Sequence, residues 1–260
     1  MRTHLSRTRA VGVVVPLHNE QDLADRALTS LEGALESLRK WNVEIGVAVV
    51  LDACTDGSAR VVNDWIEGLG DRQMGVLALS LVTDARNVGV ARGLGCTALL
   101  DCWRNLNVGQ IWLATTDCDS RVPKEWLVTQ VEEHEEGADL WSGRIEVTDW
   151  FSYRPITKQR WQVEYDAEVN PIHGTSLGFN ASLYVDVGGF PPLATSEDRE
   201  LYRRLVAAGA RARHNSSLRV LTSSRRNARA PRGFAHALEL IDSSHDSSEM
   251  TFPPLAGHLT

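Results

Sequence analysis

Four short apolar runs recur along the first half of the chain, and polar residues follow each of them. The runs occupy residues 11–15, 43–51, 76–82 and 111–114. Each has the length and composition of a strand that is buried on both faces. Segments with helical spacing of apolar residues lie between them, at 23–41, 56–66 and 89–103. This alternation predicts an α/β fold with a mainly parallel sheet, in which right-handed crossovers bring the strand ends to one edge.

The polar residues that follow the runs have complementary chemistry. They form four clusters, at residues 16–20, 52–58, 86–93 and 117–119. Ligands of parallel sheets bind beyond the carboxyl ends of the strands. Asp117 and Asp119 are two residues apart, so they project to the same side, and a divalent cation carrying a diphosphate would resolve their repulsion. The clusters therefore predict a nucleotide and metal site at this edge.

Other details follow from local patterns. In the third helical segment, the apolar spacing predicts that Leu94, Leu99 and Cys102 face the sheet. In the second half, residues 197–208 have the pattern of an amphipathic helix, with Ser196 as its N-cap. A helix dipole favours acidic residues at this position, so Glu197 and Asp198 have a structural explanation that needs no catalysis.

Bulk properties exclude several classes of protein. The net charge of −7 argues against a general nucleic-acid binder, and no stretch approaches eighteen uninterrupted apolar residues, so no membrane span is expected. The basic N-terminus lacks the apolar region of a secretory signal. The cysteines have neither metal-finger spacing nor a disulfide pattern. These observations predict a cytoplasmic protein.

In their order along the chain, the clusters resemble the family-two glycosyltransferases with the GT-A fold. The matching residues are Pro16-Leu17-His18-Asn19-Glu20, Asp52 with Thr55-Asp56-Gly57-Ser58, Arg86-Asn87-x-Gly89-x-Ala91-Arg92, Asp117-Cys118-Asp119, Gly188-Gly189-Phe190, and Ser196-Glu197-Asp198 with Leu201, Arg204, Leu205 and Gly209. The ordered series is far more specific than any one member. The resemblance implies a Rossmann-like, mainly parallel sheet flanked by helices, with a smaller mixed region on the acceptor side.

The resemblance also implies roles for the first four clusters. A nucleotide-diphosphate sugar would be bound by Pro16, Leu17, His18, Glu20, Asp52, Arg86, Asn87, Arg92, Asp117 and Cys118. Within this set, Arg86 and Arg92 would lie near the base or the diphosphate. Asp119, together with Asp117, would hold Mn²⁺ or Mg²⁺. Many relatives add a histidine ligand after the catalytic helix, but residues 218–226 contain none, so the third protein ligand is missing.

Later residues receive catalytic and acceptor roles by the same resemblance. Inverting members use the aspartate of a Glu-Asp pair as general base, which assigns this role to Asp198 and an orienting role to Glu197. By their position in the family, three residues would approach the sugar and the acceptor: Gly174, Thr175 and Ser176. Arg225 and Arg226 either close over the diphosphate or an anionic acceptor, or belong to a solvated basic surface.

The sequence thus predicts a metal-dependent, hexosyltransferase-like glycosyltransferase that inverts the sugar. Its donor would be a UDP-, GDP- or dTDP-linked sugar, and its acceptor a small or carrier-bound molecule. One domain would span 1–240, with a nucleotide-sugar half (10–120) and an acceptor and catalytic half (121–240), followed by a flexible tail (241–260). The alternatives are a sugar nucleotidyltransferase, although the first strand lacks the Gly-rich loop of that class, and a non-catalytic nucleotide-binding module.

Overall fold

The protein is represented by a computed structural model that describes residues 8–225 and 234–243. Strands and helices alternate in the first half: β1 (Ala10–Leu17), α1 (Ala24–Leu38), β2 (Glu44–Asp52), α2 (Ser58–Asp71), β3 (Val76–Thr83), α3 (Val88–Cys102) and β4 (Ile111–Thr115). The second half contains β5 (Ser120–Arg121), α4 (Trp126–Glu135), β6 (Leu140–Thr148), α5 (Pro155–Ala167), β7 (Leu177–Asn180), α6 (Ala181–Asp186), α7 (Glu197–Ala207), β8 (Ala212–Ser223) and α8 (Phe234–Ser243). Every strand predicted from an apolar run is present.

The strands form one sheet in the order β3-β2-β1-β4-β7-β6-β8-β5. The first four in this order are parallel to one another, so their carboxyl ends share one edge. β7 runs antiparallel to both β4 and β6, whereas β8 is parallel to β6 and antiparallel to β5. The predicted mainly parallel sheet with a smaller mixed region is therefore confirmed.

Helices cover both faces of the sheet. Alternate residues of β1 point to opposite sides: Val13 belongs to the core under α1 and α2, and Val14 to the core under α3. Gly12 lets α3 approach closely, because a Cβ built there would lie 2.9 Å from Leu99 and from Leu113. Each fully buried leucine contributes roughly 1.5–3 kcal/mol to stability by leaving water.

Two local predictions are wrong. Leu94 and Cys102 lie on the outer side of α3, whereas Arg92 and Cys96 are buried. Leu99 faces the sheet as predicted, but the rest of the inner face carries small residues and one arginine, which an apolar pattern does not reveal. Ser196 occupies the predicted N-cap position of α7, but its side chain makes no capping hydrogen bond, and its backbone is left-handed with φ of 62°.

The chain beyond residue 240 is only partly described. α8 extends to Ser243, past the predicted start of the flexible tail at residue 241, and Ile241 is buried in the core. The rest of the predicted tail, 244–260, and Arg226 lie outside the described residues. No helix within 8–225 and 234–243 has both the length and the hydropathy required to span a membrane.

Candidate functional site

The loops after β1 and β2 are joined by hydrogen bonds. Nδ1 of His18 lies 2.6 Å from the carbonyl oxygen of Asp52, a geometry in which Nδ1 donates. Asn19 Oδ1 accepts the backbone N–H of Thr55 at 2.8 Å. Pro16 and Leu17 are buried inside β1, and they place His18 at the sheet edge. The first two predicted clusters therefore meet.

Asp52 holds the third cluster in place. Its Oδ1 accepts the backbone N–H of Arg86 at 2.8 Å, and its Oδ2 accepts that of Asn87 at 2.7 Å. Asn87 in turn caps α3, because its side chain accepts the N–H of Val90. Arg86 has a positive φ of 48°, and its side chain is exposed. Asp52 thus fixes the turn that presents Arg86 at the edge.

Arg92 connects the fourth cluster with the start of α7. It is 2% exposed, donates to Asp117 Oδ1 at 2.5 Å through Nη2, and donates to Glu197 Oε1 through Nη1. Burial alone would lower the pKa of Arg92, but the carboxylates of Asp117 and Glu197 raise it. The guanidinium therefore stays charged. Arg92 lies beneath the predicted nucleotide site, with both terminal nitrogens bound to carboxylates.

A second arginine occupies the other side of the acidic pair. Arg225 follows β8 and donates to Glu20 Oε2 and, at 3.0 Å, to Asp119 Oδ2. Burial raises the pKa of Asp119 to about 6; Arg225 opposes this rise, whereas Asp117 adds to it. The contact with Asp119 places Arg225 where the sequence predicts a metal ion.

Cys118 lies between the two aspartates but points into the core. It is 2% exposed, and burial raises the pKa of its thiol well above the ordinary value. A protonated, buried thiol is neither a metal ligand nor a nucleophile. Its neighbours Asp117 and Asp119 keep 37% and 16% of their side-chain surface exposed.

The turn Gly174–Ser176 brings acceptor-side residues to the same edge. The N–H of Gly174 donates to Asp198 Oδ2 at 2.6 Å, and its carbonyl accepts the hydroxyl of Thr115 at 2.5 Å. Thr175 Oγ1 accepts the N–H of Asp117 at 3.3 Å, while Ser176 is buried and accepts from Trp126 at 3.3 Å. Gly174 and Thr175 therefore link the acidic pair to the predicted base.

Negative charge exceeds positive charge at this edge. Arg92 is shared between Asp117 and Glu197, and Arg225 between Glu20 and Asp119. Burial raises the pKa of Glu197 to about 7 although Arg92 opposes the rise, and Asp198 raises it further. The surplus of carboxylates favours binding of a further cation.

The residues fit a metal ion only if other ligands join it. Within the described part of the chain, no group of three or more His, Cys, Asp or Glu side chains could hold one. His214 does not supply the missing ligand, since it pairs with Ser142 near the start of β8, whereas Ser120, next to Asp119, pairs with Thr222 near the end of that strand. Mg²⁺ commonly binds one or two carboxylates together with substrate phosphates and water. Asp117 and Asp119 suit that kind of site.

Some contributors were not predicted from the sequence. Thr115 is the last residue of β4, and Thr116 follows it. The hydroxyl of Thr115 binds the Gly174–Ser176 turn, and that of Thr116 approaches it. Their only sequence signal is two threonines directly before Asp117. The burial of Arg92 gave no signal at all, because both of its carboxylate partners are distant in sequence.

Comparisons with known proteins bear on the family and the fold. Residues 12–187 match the model of the family described as Glycosyl transferase family 2. The matched stretch contains all four donor-side clusters and ends before Glu197. A search of curated proteins finds no match.

Solved structures with a similar fold include mannosyltransferase PcManGT from Pyrobaculum calidifontis, in complex with GDP-Man and Mn²⁺. It is 21% identical, with a TM-score of 0.61 over 92% of this chain and 61% of that chain. S. aureus TarS is 17% identical, with a TM-score of 0.58 over 82% of this chain and 36% of that one. TarS 1-349 in complex with UDP is 16% identical, with a TM-score of 0.57 over 82% and 60%. The chain spans less than two thirds of each, and the likeness concerns the fold.

Proposed function

The chain belongs to glycosyl transferase family 2 and has the GT-A fold, and we propose that it transfers a sugar from a nucleotide-diphosphate donor to an acceptor hydroxyl. One observation carries the proposal: Arg92 contacts both Asp117, from the donor half, and Glu197, from the acceptor half. A transfer between two bound molecules needs the groups that bind them to lie side by side.

We place the nucleotide over the loops after β1, β2 and β3. His18 and Asp52 would lie against the base and ribose, and Arg86, which is exposed and held by Asp52, would reach the base or the diphosphate. Arg92 has no free terminal nitrogen for this purpose, so its proposed role is to support Asp117. The GDP-Man of PcManGT and the UDP of TarS make GDP- and UDP-sugars the first donors to test, followed by dTDP-sugars.

We assign Asp119 and Asp117 to a divalent cation, Mn²⁺ or Mg²⁺, that would neutralise charge on the departing nucleoside diphosphate. The surplus of carboxylates supports this assignment. So does the Mn²⁺ present with PcManGT. Because the protein offers two carboxylates here, the diphosphate itself would supply further ligands. Arg225 would then leave Asp119 and pair with the diphosphate.

Asp198 is the proposed general base. Gly174 N–H and the N–H of Arg199 donate to its two oxygens, at 2.6 and 2.7 Å, and fix the orientation of the carboxylate. Asp198 would take the proton as the acceptor oxygen attacks the anomeric carbon and the bond to the diphosphate breaks. A single displacement of this kind inverts the anomeric configuration. Glu197, beside it, would keep the start of α7 in place through Arg92.

Donor hydrolysis measured with and without Mn²⁺ tests the proposal. The protein is incubated with UDP-, GDP- and dTDP-sugars, and free sugar and nucleoside diphosphate are quantified. A transferase releases both from one donor, even slowly to water, and the same donor raises the melting temperature because it binds the native state. Binding without any release would instead support the non-catalytic module. Pyrophosphate formed from a nucleoside triphosphate and a sugar phosphate would support the nucleotidyltransferase.

A further inference from the structure

Arg92 is a buried cation that two distant parts of the chain share. α3 carries it into the interior, where its guanidinium reaches Asp117 after β4 and Glu197 at the start of α7. Both contacts are charge-assisted, and the arginine and Glu197 are almost completely buried. If the guanidinium moves closer to Glu197, its contact with Asp117 weakens, and the reverse also holds. A shift of Arg92 therefore changes the surroundings of both carboxylates at once.

Gly174 extends this connection to the predicted base. A Cβ built on Gly174 would overlap the guanidinium of Arg92, so the turn rests directly on the arginine. The N–H of the same glycine donates to Asp198, and its carbonyl is held by Thr115, two residues before Asp117. The position of Arg92 therefore sets the position of the group that orients Asp198.

We infer that Arg92 is a positioning residue that couples the occupancy of the donor side to the orientation of Asp198, an inference that rests on the proposed function. A cation and nucleotide bound at Asp117 draw this carboxylate away from Arg92. The guanidinium then binds Glu197 more strongly and holds α7 and the Gly174 turn in one arrangement. Coupling of this kind is reciprocal, so Glu197 must also affect nucleotide binding.

A double-mutant cycle measures the coupling. The dissociation constants of UDP and GDP, each with Mg²⁺, are determined by calorimetry for the wild type, Glu197→Gln, Arg92→Lys and the double variant. Lysine keeps the charge but cannot contact two carboxylates in a fork. Glu197→Gln frees Arg92 to bind Asp117 in competition with the cation and nucleotide. When Arg92 is present, this substitution should weaken nucleotide binding by about fivefold or more. In the Arg92→Lys background, it should leave nucleotide binding nearly unchanged. Arg72→Lys, at a surface pair with Glu32, is the matched control.

The NMR resonance of the Gly174 amide gives a second readout. A simple loss of stability would not change its chemical shift. In the wild type, Mg²⁺ with the bound nucleotide shifts this resonance, because the bond to Asp198 changes. In Arg92→Lys the shift is lost although the nucleotide still binds. If Arg92→Lys does not fold, Gly174→Ala replaces it, since its Cβ meets the guanidinium; it should lower kcat without weakening nucleotide binding.

The outcomes separate the two proposals. Equal effects of Glu197→Gln in both backgrounds, or the same Gly174 shift in Arg92→Lys, would overturn the coupling and leave the transferase proposal intact. A wild type that binds no nucleoside diphosphate with Mg²⁺ would overturn the proposed function, and the coupling with it.

Discussion

Arg225 donates to Asp119 across 3.0 Å and so places a positive charge on the carboxylate that is proposed to bind a metal ion. The same guanidinium also reaches Glu20, from the loop after β1. β8 delivers Arg225 to this edge because it runs parallel to β6 and pairs with β5 directly beside Asp119. A metal ion that binds Asp119 must therefore displace an ion pair that the protein already has.

Arg225→Gln is expected to tighten Mn²⁺ binding in the absence of nucleotide. A hydrogen bond to a charged group contributes about 1.5–3 kcal/mol, so its removal should raise the affinity for Mn²⁺ by about tenfold or more. The same variant should bind a nucleoside diphosphate more weakly, because the arginine no longer pairs with the phosphates. Electron paramagnetic resonance of free Mn²⁺ measures the first effect.

Arg121→Gln is the control for this experiment. Arg121 lines the same small cavity as Asp119, and its loss removes one positive charge without breaking the Arg225 contact. The control should change Mn²⁺ affinity much less. Equal increases in Mn²⁺ affinity in both variants would mean that the affinity depends on the overall charge and not on the Arg225–Asp119 contact.

Asp198→Asn should retain donor binding and lose most turnover. The amide oxygen of asparagine can still accept the N–H of Gly174, so the turn keeps its shape. The proton of the acceptor hydroxyl has no base to receive it, and loss of general-base catalysis costs about 10²–10⁴-fold in rate. Glu200→Gln, two residues further along α7 and paired with Arg204 on the surface, should leave the rate nearly unchanged. An undiminished rate in Asp198→Asn would rule out Asp198 as the general base.

His173 should make the protein less stable in acid. Burial lowers the pKa of His173 to about 3, and the charges of Arg199, Arg144 and His214 act in the same direction. Its ring atom Nε2 is buried although the residue as a whole is only half-buried. An unfolded histidine titrates near pH 6.5, so below that pH the unfolded state binds the extra proton. The stabilisation is present above pH 6.5 and decreases as the pH falls toward 3.

Urea unfolding at several pH values tests this expectation. His173→Phe keeps a ring beside Tyr165, 5.6 Å away, but cannot titrate. Between pH 6 and 4, the unfolding free energy of the wild type should fall more steeply than that of the variant, by up to about 1.4 kcal/mol per pH unit. Parallel curves would show that another group, such as buried His134, causes the acid sensitivity.

Two glycines should respond oppositely to alanine. In Gly12→Ala the new Cβ would press on Leu99 and Leu113, and overpacking of this kind costs about 1–3 kcal/mol. Gly33 lies within α1, and a Cβ placed there would meet nothing within 4 Å, so Gly33→Ala should stabilise the helix by about 0.5–1 kcal/mol. Thermal unfolding of both variants measures the difference. If both variants shifted the melting temperature in the same direction, the close packing of α3 against Gly12 would be contradicted.

The donor half of the fold was predictable because its signals are local. Apolar runs define β1 to β4, and each polar cluster directly follows its strand, so parallel pairing alone brings the clusters together. β7 was missed because it has only four residues, Leu177–Asn180, and forms through pairing with β4 and β6. The burial of Arg92 could not be predicted either, since it depends on carboxylates supplied by distant segments.

The reversed direction of β7 has a consequence for how such a chain can diversify. Leu177 opposes Thr115, so β7 starts at the edge where β4 ends. The sheet itself therefore fixes where the Gly174–Ser176 turn meets Asp117, whatever the length of the preceding segment. The loops on either side of α5 can then change in length, provided that Trp161 and Tyr165 stay packed in the core. A longer loop grafted there would reshape the surface beside the Gly174–Ser176 turn and leave the strand ends of β1 to β4 unchanged.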